Sequence, residues 1–172
     1  MQSISKVIFC YALLCLSNFI ELPFWAFSGD SLVVYDYRLL YITCFILSLA
    51  FKNNYTFIAS CLYIVSGLAG LPIFAFGGGI EYIFEPSFGY ILGILIISTL
   101  AFYSKIHIPE IGVRTFRDKS ILPLMSIVFA HALGLVYLLV TQRLDLDHFA
   151  SMTLYQIFYD LFIAHLVIIL IP

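Results

Sequence analysis

The chain has 172 residues, of which 63% are hydrophobic and 10% charged, with a mean hydropathy of +1.07 and a net charge of −2. Soluble domains are about half apolar and a quarter charged, so this composition excludes a soluble domain and leaves room for a single transmembrane domain over 1–172. The slight negative charge and the lack of a basic run exclude nucleic acid as a partner.

A helix that crosses hydrocarbon needs about 20 apolar residues, and six stretches qualify in chain order: 4–20, 37–51, 55–74, 88–104, 121–141 and 152–171. The first has no small-x-small cleavage site and leads straight into more apolar sequence, so it reads as a span rather than a signal peptide. The second is the weakest, because only Leu39 to Phe51 separate Arg38 from Lys52; it needs Tyr37 and snorkelling of both cations to reach across. Lys52-Asn53-Asn54 forms a short polar turn before the third span, which is expected to end at Pro72. The segment from Pro109 to Pro123, with Arg114, Arg117, Asp118 and Lys119, is the well-charged connection between the fourth and fifth spans. Cys10, Cys15, Cys44 and Cys61 all lie in apolar stretches without a C-x-x-C, which suits small packing groups and not a disulfide or a metal site.

Placing the N-terminus in the cytoplasm puts Lys6, Lys52, Lys105, Arg114, Arg117 and Lys119 inside and only Arg38 and Arg143 outside, as positive-inside bias requires. Omitting the second span would reverse that bias. Both termini are then expected to be cytoplasmic, in an all-α, multi-pass protein of the plasma membrane, and the connection from Gly70 to Phe88 is external.

That connection contains Gly77-Gly78-Gly79, whose bare peptides allow close approach of a ligand; an isolated glycine run also suits a plain surface turn. Non-helical backbone at membrane depth is tolerated only against protein or a cavity. Phe24, Trp25, Phe74, Phe76, Tyr82, Phe84 and Tyr90 cluster in or beside the two outer connections, where they belong either to an interfacial aromatic belt or to the wall of an apolar site. Asp160 is the acid inside a predicted span. At mid-helix it costs about 2.5–3.5 kcal/mol on insertion scales, which marks it as a functional-site candidate. Thr153, Gln156, Asp160 and Ala164 trace one stripe expected to face the bundle interior. The structural alternative is an interhelical hydrogen bond, for which His131 is the obvious partner. His131 and His165 have no metal-ligand spacing around them and read as packing or hydrogen-bonding residues. No phosphate-binding loop, nucleophile elbow or H-E-x-x-H motif occurs, so neither an ATPase nor a hydrolase can be read here.

The stretch "YIVSGLAGLPIFAFGGG" (63–79), followed by "EPSFGYILGI" (85–94), resembles the BioY family, the biotin-specific S components of energy-coupling-factor (ECF) vitamin transporters. Weaker similarity lies in "IELPF" (20–24), "HALGLVYL" (131–138) and "IFYDLF" (157–162), where Asp160 takes the place of the family's aspartate. The family's lysine three residues later is Ile163 here, its preceding Pro-Gly is Phe158-Tyr159, and the glycine run lacks the asparagine of some members. The resemblance implies an S-component-like six-helix bundle that captures biotin from outside and works with a membrane T subunit and two ABC ATPases, with no cofactor and no catalysis of its own. It makes Gly77, Gly78 and Gly79 a ligand-facing loop. Biotin has a ureido ring with N–H donors, an apolar bicycle and a carboxylated tail. Asp160, with Gln156 beside it, would accept from the ureido ring; Phe74, Tyr82, Tyr90 and Trp25 would cover the apolar parts; and glycine amides or Arg38 would meet the carboxylate. The departures keep another small vitamin open as the ligand, and Asp160 with His131 would form the acid–base pair of a small intramembrane enzyme in the competing reading. Ser5, Ala12 and Cys15 near one face of the first helix would let the T subunit approach closely.

Overall fold

A computed structural model describes residues 2–28, 31–51, 54–107, 116–141 and 146–170. They contain six α-helices: α1 (Gln2–Phe19), α2 (Leu40–Ala50), α3 (Tyr55–Leu68), α4 (Phe88–His107), α5 (Phe116–Thr141) and α6 (Leu146–Leu170). Runs of Leu, Ile, Phe and Val take this form because a helix satisfies its backbone hydrogen bonds internally, which lipid cannot do for it. Among the described residues Leu124–Thr141 is long and apolar enough to cross a bilayer unaided.

Where an all-α chain was expected, two strands follow α1. Strand β1 (Glu21–Ser28) pairs antiparallel with β2 (Ser31–Arg38), in a register that sets Glu21 opposite Arg38 and Ser28 opposite Ser31. The signal was in the sequence: two runs rich in aromatic and β-branched residues, separated by Gly29-Asp30. Because β2 runs through Arg38, the second helix starts at Leu40 and not at residue 37. It has 11 residues and α3 has 14, about 17 and 21 Å at 1.5 Å per residue, against roughly 30 Å of hydrocarbon.

The third helix stops at Leu68, four residues before Pro72. Gly70, at φ 107°, terminates it: the Leu71 N–H reaches the Ser66 carbonyl and the Gly70 N–H reaches the Gly67 carbonyl. This is a Schellman cap, which a glycine closes more readily than any residue with a Cβ. The fifth helix starts at Phe116, so Arg117, Asp118, Lys119 and Pro123 are helical instead of lying in the connection. Lys52, Arg114 and Arg143, which enter the expected orientation, lie outside the described residues.

Helix α6 turns Asp160 and Ala164 inward while Phe158, Phe162, Leu166 and Ile169 are exposed on its other side, as the polar-to-small stripe requires; the side chain of Thr153 lies outside the described residues. All four cysteines are free, and Cys10 and Cys44 are fully buried. A 3-10 helix, Ile80–Phe84, precedes α4. The end of α1, the base of the hairpin and the connection after α3 meet at one end of the bundle: Asn18 Nδ2 donates to the Ile73 carbonyl over 3.0 Å and the Leu39 N–H to the Ile20 carbonyl over 3.4 Å.

Candidate functional site

Below that junction lies a cavity of about 410 Å³, lined by residues from every helix except α3. Its size suits one small organic molecule. Asp160 and His131 form its buried base, Tyr41, Tyr90 and Tyr82 contribute to its walls, and Arg38, Phe76 and Glu85 lie toward the exposed end.

The base joins two helices. His131 on α5 and Asp160 on α6 are 2% and 1% exposed, with Nε2 of the imidazole 3.3 Å from Oδ2 of the carboxylate. The other ring nitrogen, Nδ1, lies 3.0 Å from the Ile127 carbonyl one turn back. A carbonyl can only accept, so Nδ1 carries a hydrogen and the ring's orientation is set. Tyr41 on α2 presses edge-on to the imidazole with centroids 4.8 Å apart, and its hydroxyl donates to the Tyr90 carbonyl over 2.6 Å.

Glycines seat these rings. A Cβ at Gly93 on α4 would collide with the Tyr41 hydroxyl, and one at Gly134 on α5 would collide with the Tyr90 ring. Gly89 gives the same clearance to Tyr137, whose hydroxyl donates to the Ile83 carbonyl of the 3-10 helix. Small residues let helix backbones come close in a membrane; here the space they leave is filled by tyrosine.

At the exposed end the Arg38 guanidinium forms an ion pair with Glu21, donates from Nη1 to the Asn18 carbonyl over 2.9 Å, and lies 6.0 Å from the centre of the Phe76 ring. Tyr82 shares a 3.0 Å hydrogen bond with Ser87. Behind Tyr82 stands Phe74, buried against Tyr63 and Tyr82 and fitted onto bare Gly67.

Of the residues singled out in the sequence, Asp160, Gln156, Tyr90, Tyr82 and Arg38 line one cavity. Phe74 supports its wall from behind and does not line it. Nor do Gly77, Gly78 and Gly79, which were expected to turn their amides to a ligand: the Gly77 N–H bonds to the Phe74 carbonyl and the Gly79 N–H to the Gly67 carbonyl. Gly77 and Gly79 have φ of 115° and 114°, and a Cβ at Gly78 would strike the Leu71 carbonyl. The run is glycine because the chain must fold tightly upon the end of α3. Trp25 sits in β1 opposite Val34, and its side chain lies outside the described residues.

Phe76, from the aromatic cluster noted in the sequence, also lines the cavity, whereas sequence reasoning did not select Asn18, Tyr41, Glu85 or Ser87, which line it too. Asn18 carried a usable signal, an amide within an apolar span. Tyr41 did not stand out among 12 tyrosines. His131 and Asp160, which helical projection alone could not bring together, are in contact.

In a 105-residue alignment that covers 54% of this chain, the chain is 29% identical to a probable biotin transporter BioY from Lysinibacillus sphaericus. That match spans 52% of the relative, about half its length. The fold is similar to the crystal structure of the S-component for biotin from an ECF-type ABC transporter, with a TM-score of 0.75 and 20% identity, covering 98% of this chain and 88% of that one. The sequence model of the BioY family matches residues 1–172, and the chain belongs to that family of membrane proteins.

Proposed function

We propose that the chain is the substrate-binding S component of an ECF-type ABC transporter, taking up biotin as a multi-pass protein of the plasma membrane. The observation that carries this reading is the cavity's polarity: a carboxylate at the buried base, a guanidinium, with Glu85 also present, toward the exposed end, and aromatic walls between. Biotin has the complementary order, with ureido N–H donors, an apolar bicycle and a tail ending in a carboxylate. Asp160 accepts from the ureido ring, Tyr90 and Tyr82 face the apolar body, and Arg38 meets the tail.

Equilibrium binding and thermal stabilisation of the purified chain across a panel of vitamins test the assignment. A specific ligand at a hundredfold excess over its Kd stabilises by about 2.7 kcal/mol. Stabilisation by a different vitamin, with none by biotin, would transfer the scaffold to that ligand. Chemical change of the bound ligand, lost on substitution of Asp160 or His131, would instead support the acid–base reading of this pair.

Delivery is assigned to a membrane T subunit and two ATPase subunits. Helix α1 leaves Ser5, Ile8, Phe9, Ala12 and Leu16 exposed on one side, with Cys15 half-buried beside them. Ala12 gives a partner helix close approach there. Replacing Ala12 with tryptophan should abolish co-purification with the T subunit while biotin binding persists; retained co-purification would place the dock elsewhere.

A further inference from the structure

Asp160 needs a proton-bearing neighbour to be useful at the base of an apolar cavity. An isolated carboxylate buried among apolar groups takes up a proton itself and loses acceptor strength. The ionisable groups around the cavity's base come from α2, α4, α5 and α6. Tyr41 of α2 directs its hydroxyl to the Tyr90 carbonyl over 2.6 Å. Tyr90 of α4 meets the imidazole through its ring, with centroids 6.1 Å apart. On α6 itself, the positions one turn from Asp160 are Gln156, which is not ionisable, and Ile157, Ile163 and Ala164, which offer no donor. From α5, His131 Nε2 lies 3.3 Å from Oδ2.

Nδ1 is hydrogen-bonded to the Ile127 carbonyl and must be protonated. Attraction between Nε2 and Oδ2 therefore requires one further proton between them; without it two acceptors would face each other. The pair as a unit then carries no net charge, which suits its burial.

We propose that His131 is a positioning residue for ligand recognition, sharing one proton with Asp160 so that the carboxylate is held toward the cavity as a hydrogen-bond acceptor for a ligand N–H. The carboxylate has two oxygens with about four acceptor positions, of which His131 takes one. Ile127 sets the ring, the ring sets the carboxylate, and the carboxylate reads the ligand.

The test rests on the biotin reading and is built to fail separately from it. Binding is measured for biotin and for its two mono-N-methyl ureido isomers, in the wild type, His131→Leu and His131→Gln. Leucine removes the donor, whereas a glutamine Nε2 can donate from nearly the same place. The wild type should prefer biotin over at least one methylated isomer. His131→Leu should reduce that preference about tenfold or more, and His131→Gln should keep it within about threefold. A merely structural histidine would weaken all three ligands alike and leave the preference unchanged. An unchanged preference in His131→Leu overturns the proposal, and so does a lost preference in folded His131→Gln, which decides the matter should the leucine variant fail to fold. If the wild type binds no biotin, the functional reading falls first. The pair is then judged by a melting-temperature cycle of His131→Leu, Asp160→Asn and the double variant, where additive effects would overturn it.

Discussion

The two ends of the cavity are built by different physics. At the base, Asp160, His131 and Tyr41 are at most 6% exposed and sit on three different helices, seated by glycine clearances and by bonds to backbone carbonyls. At the mouth, Phe76 is 74% exposed and Arg38 holds a pair whose side chains are 30% and 43% exposed. A buried group cannot exchange its partner for water, so moving it costs the full penalty of an unmet hydrogen bond. An exposed ion pair can exchange, since water and salt replace each contact at little cost. In the proposed biotin site, this difference would give selectivity for the ligand's ring to the base, and capture and release of its tail to the mouth.

The comparison breaks most readily at a glycine under the base. Replacing Gly134 with leucine drives a side chain into the Tyr90 ring. Overpacking of this kind typically costs about 1–3 kcal/mol, so the melting temperature should fall and biotin binding should be lost in titration calorimetry. Unchanged affinity would show that Tyr90 need not hold its place.

Asp160→Asn comes next. It keeps the shape and replaces an oxygen with an amide, removing a charge-assisted bond worth about 1.5–3 kcal/mol, so affinity should fall about tenfold or more. The new amide can donate to His131, and a neutral group costs less inside the bilayer, so ligand-free melting should hold or rise. Earlier melting with wild-type affinity would reduce the pair to structural glue.

A smaller effect is expected at the mouth. Arg38→Gln should weaken biotin about threefold to tenfold, in a manner that high salt masks, while biotin amide, which has no tail carboxylate, binds as before. Equal losses for acid and amide would take Arg38 away from the tail. The least change in affinity is expected for Phe76→Ala. Stopped-flow association and dissociation should both accelerate, with Kd altered by less than about threefold, since an exposed ring that covers a bound ligand slows both directions together.

Much of this site could be read from the chain because its chemistry is scarce there. One acid within an apolar span, on a stripe with a glutamine and an alanine, had to face inward, and it does. The glycine run was expected to turn its amides to a ligand, yet those of Gly77 and Gly79 bond within the connection and to the end of α3; amides available to a ligand and amides used in folding look the same until their acceptors are known. The resemblance directed attention to position 163 for a cation near Asp160, where this chain has isoleucine. The side chain that the structure brings to Asp160 is His131, from the neighbouring helix.

By itself, then, the sequence determined the membrane class, the helices α1, α4, α5 and α6 with ends within three residues except the starts of α5 and α6, which lie five and six residues earlier than expected, and the inward face of α6. These depend on composition and on the 3.6-residue period, which are local properties. Only the tertiary structure decided that Tyr41 packs on His131 and that His131 meets Asp160. Contacts between residues distant in the chain depend on how helices rotate and how closely they approach, and glycine clearances set that approach without leaving any period in the sequence.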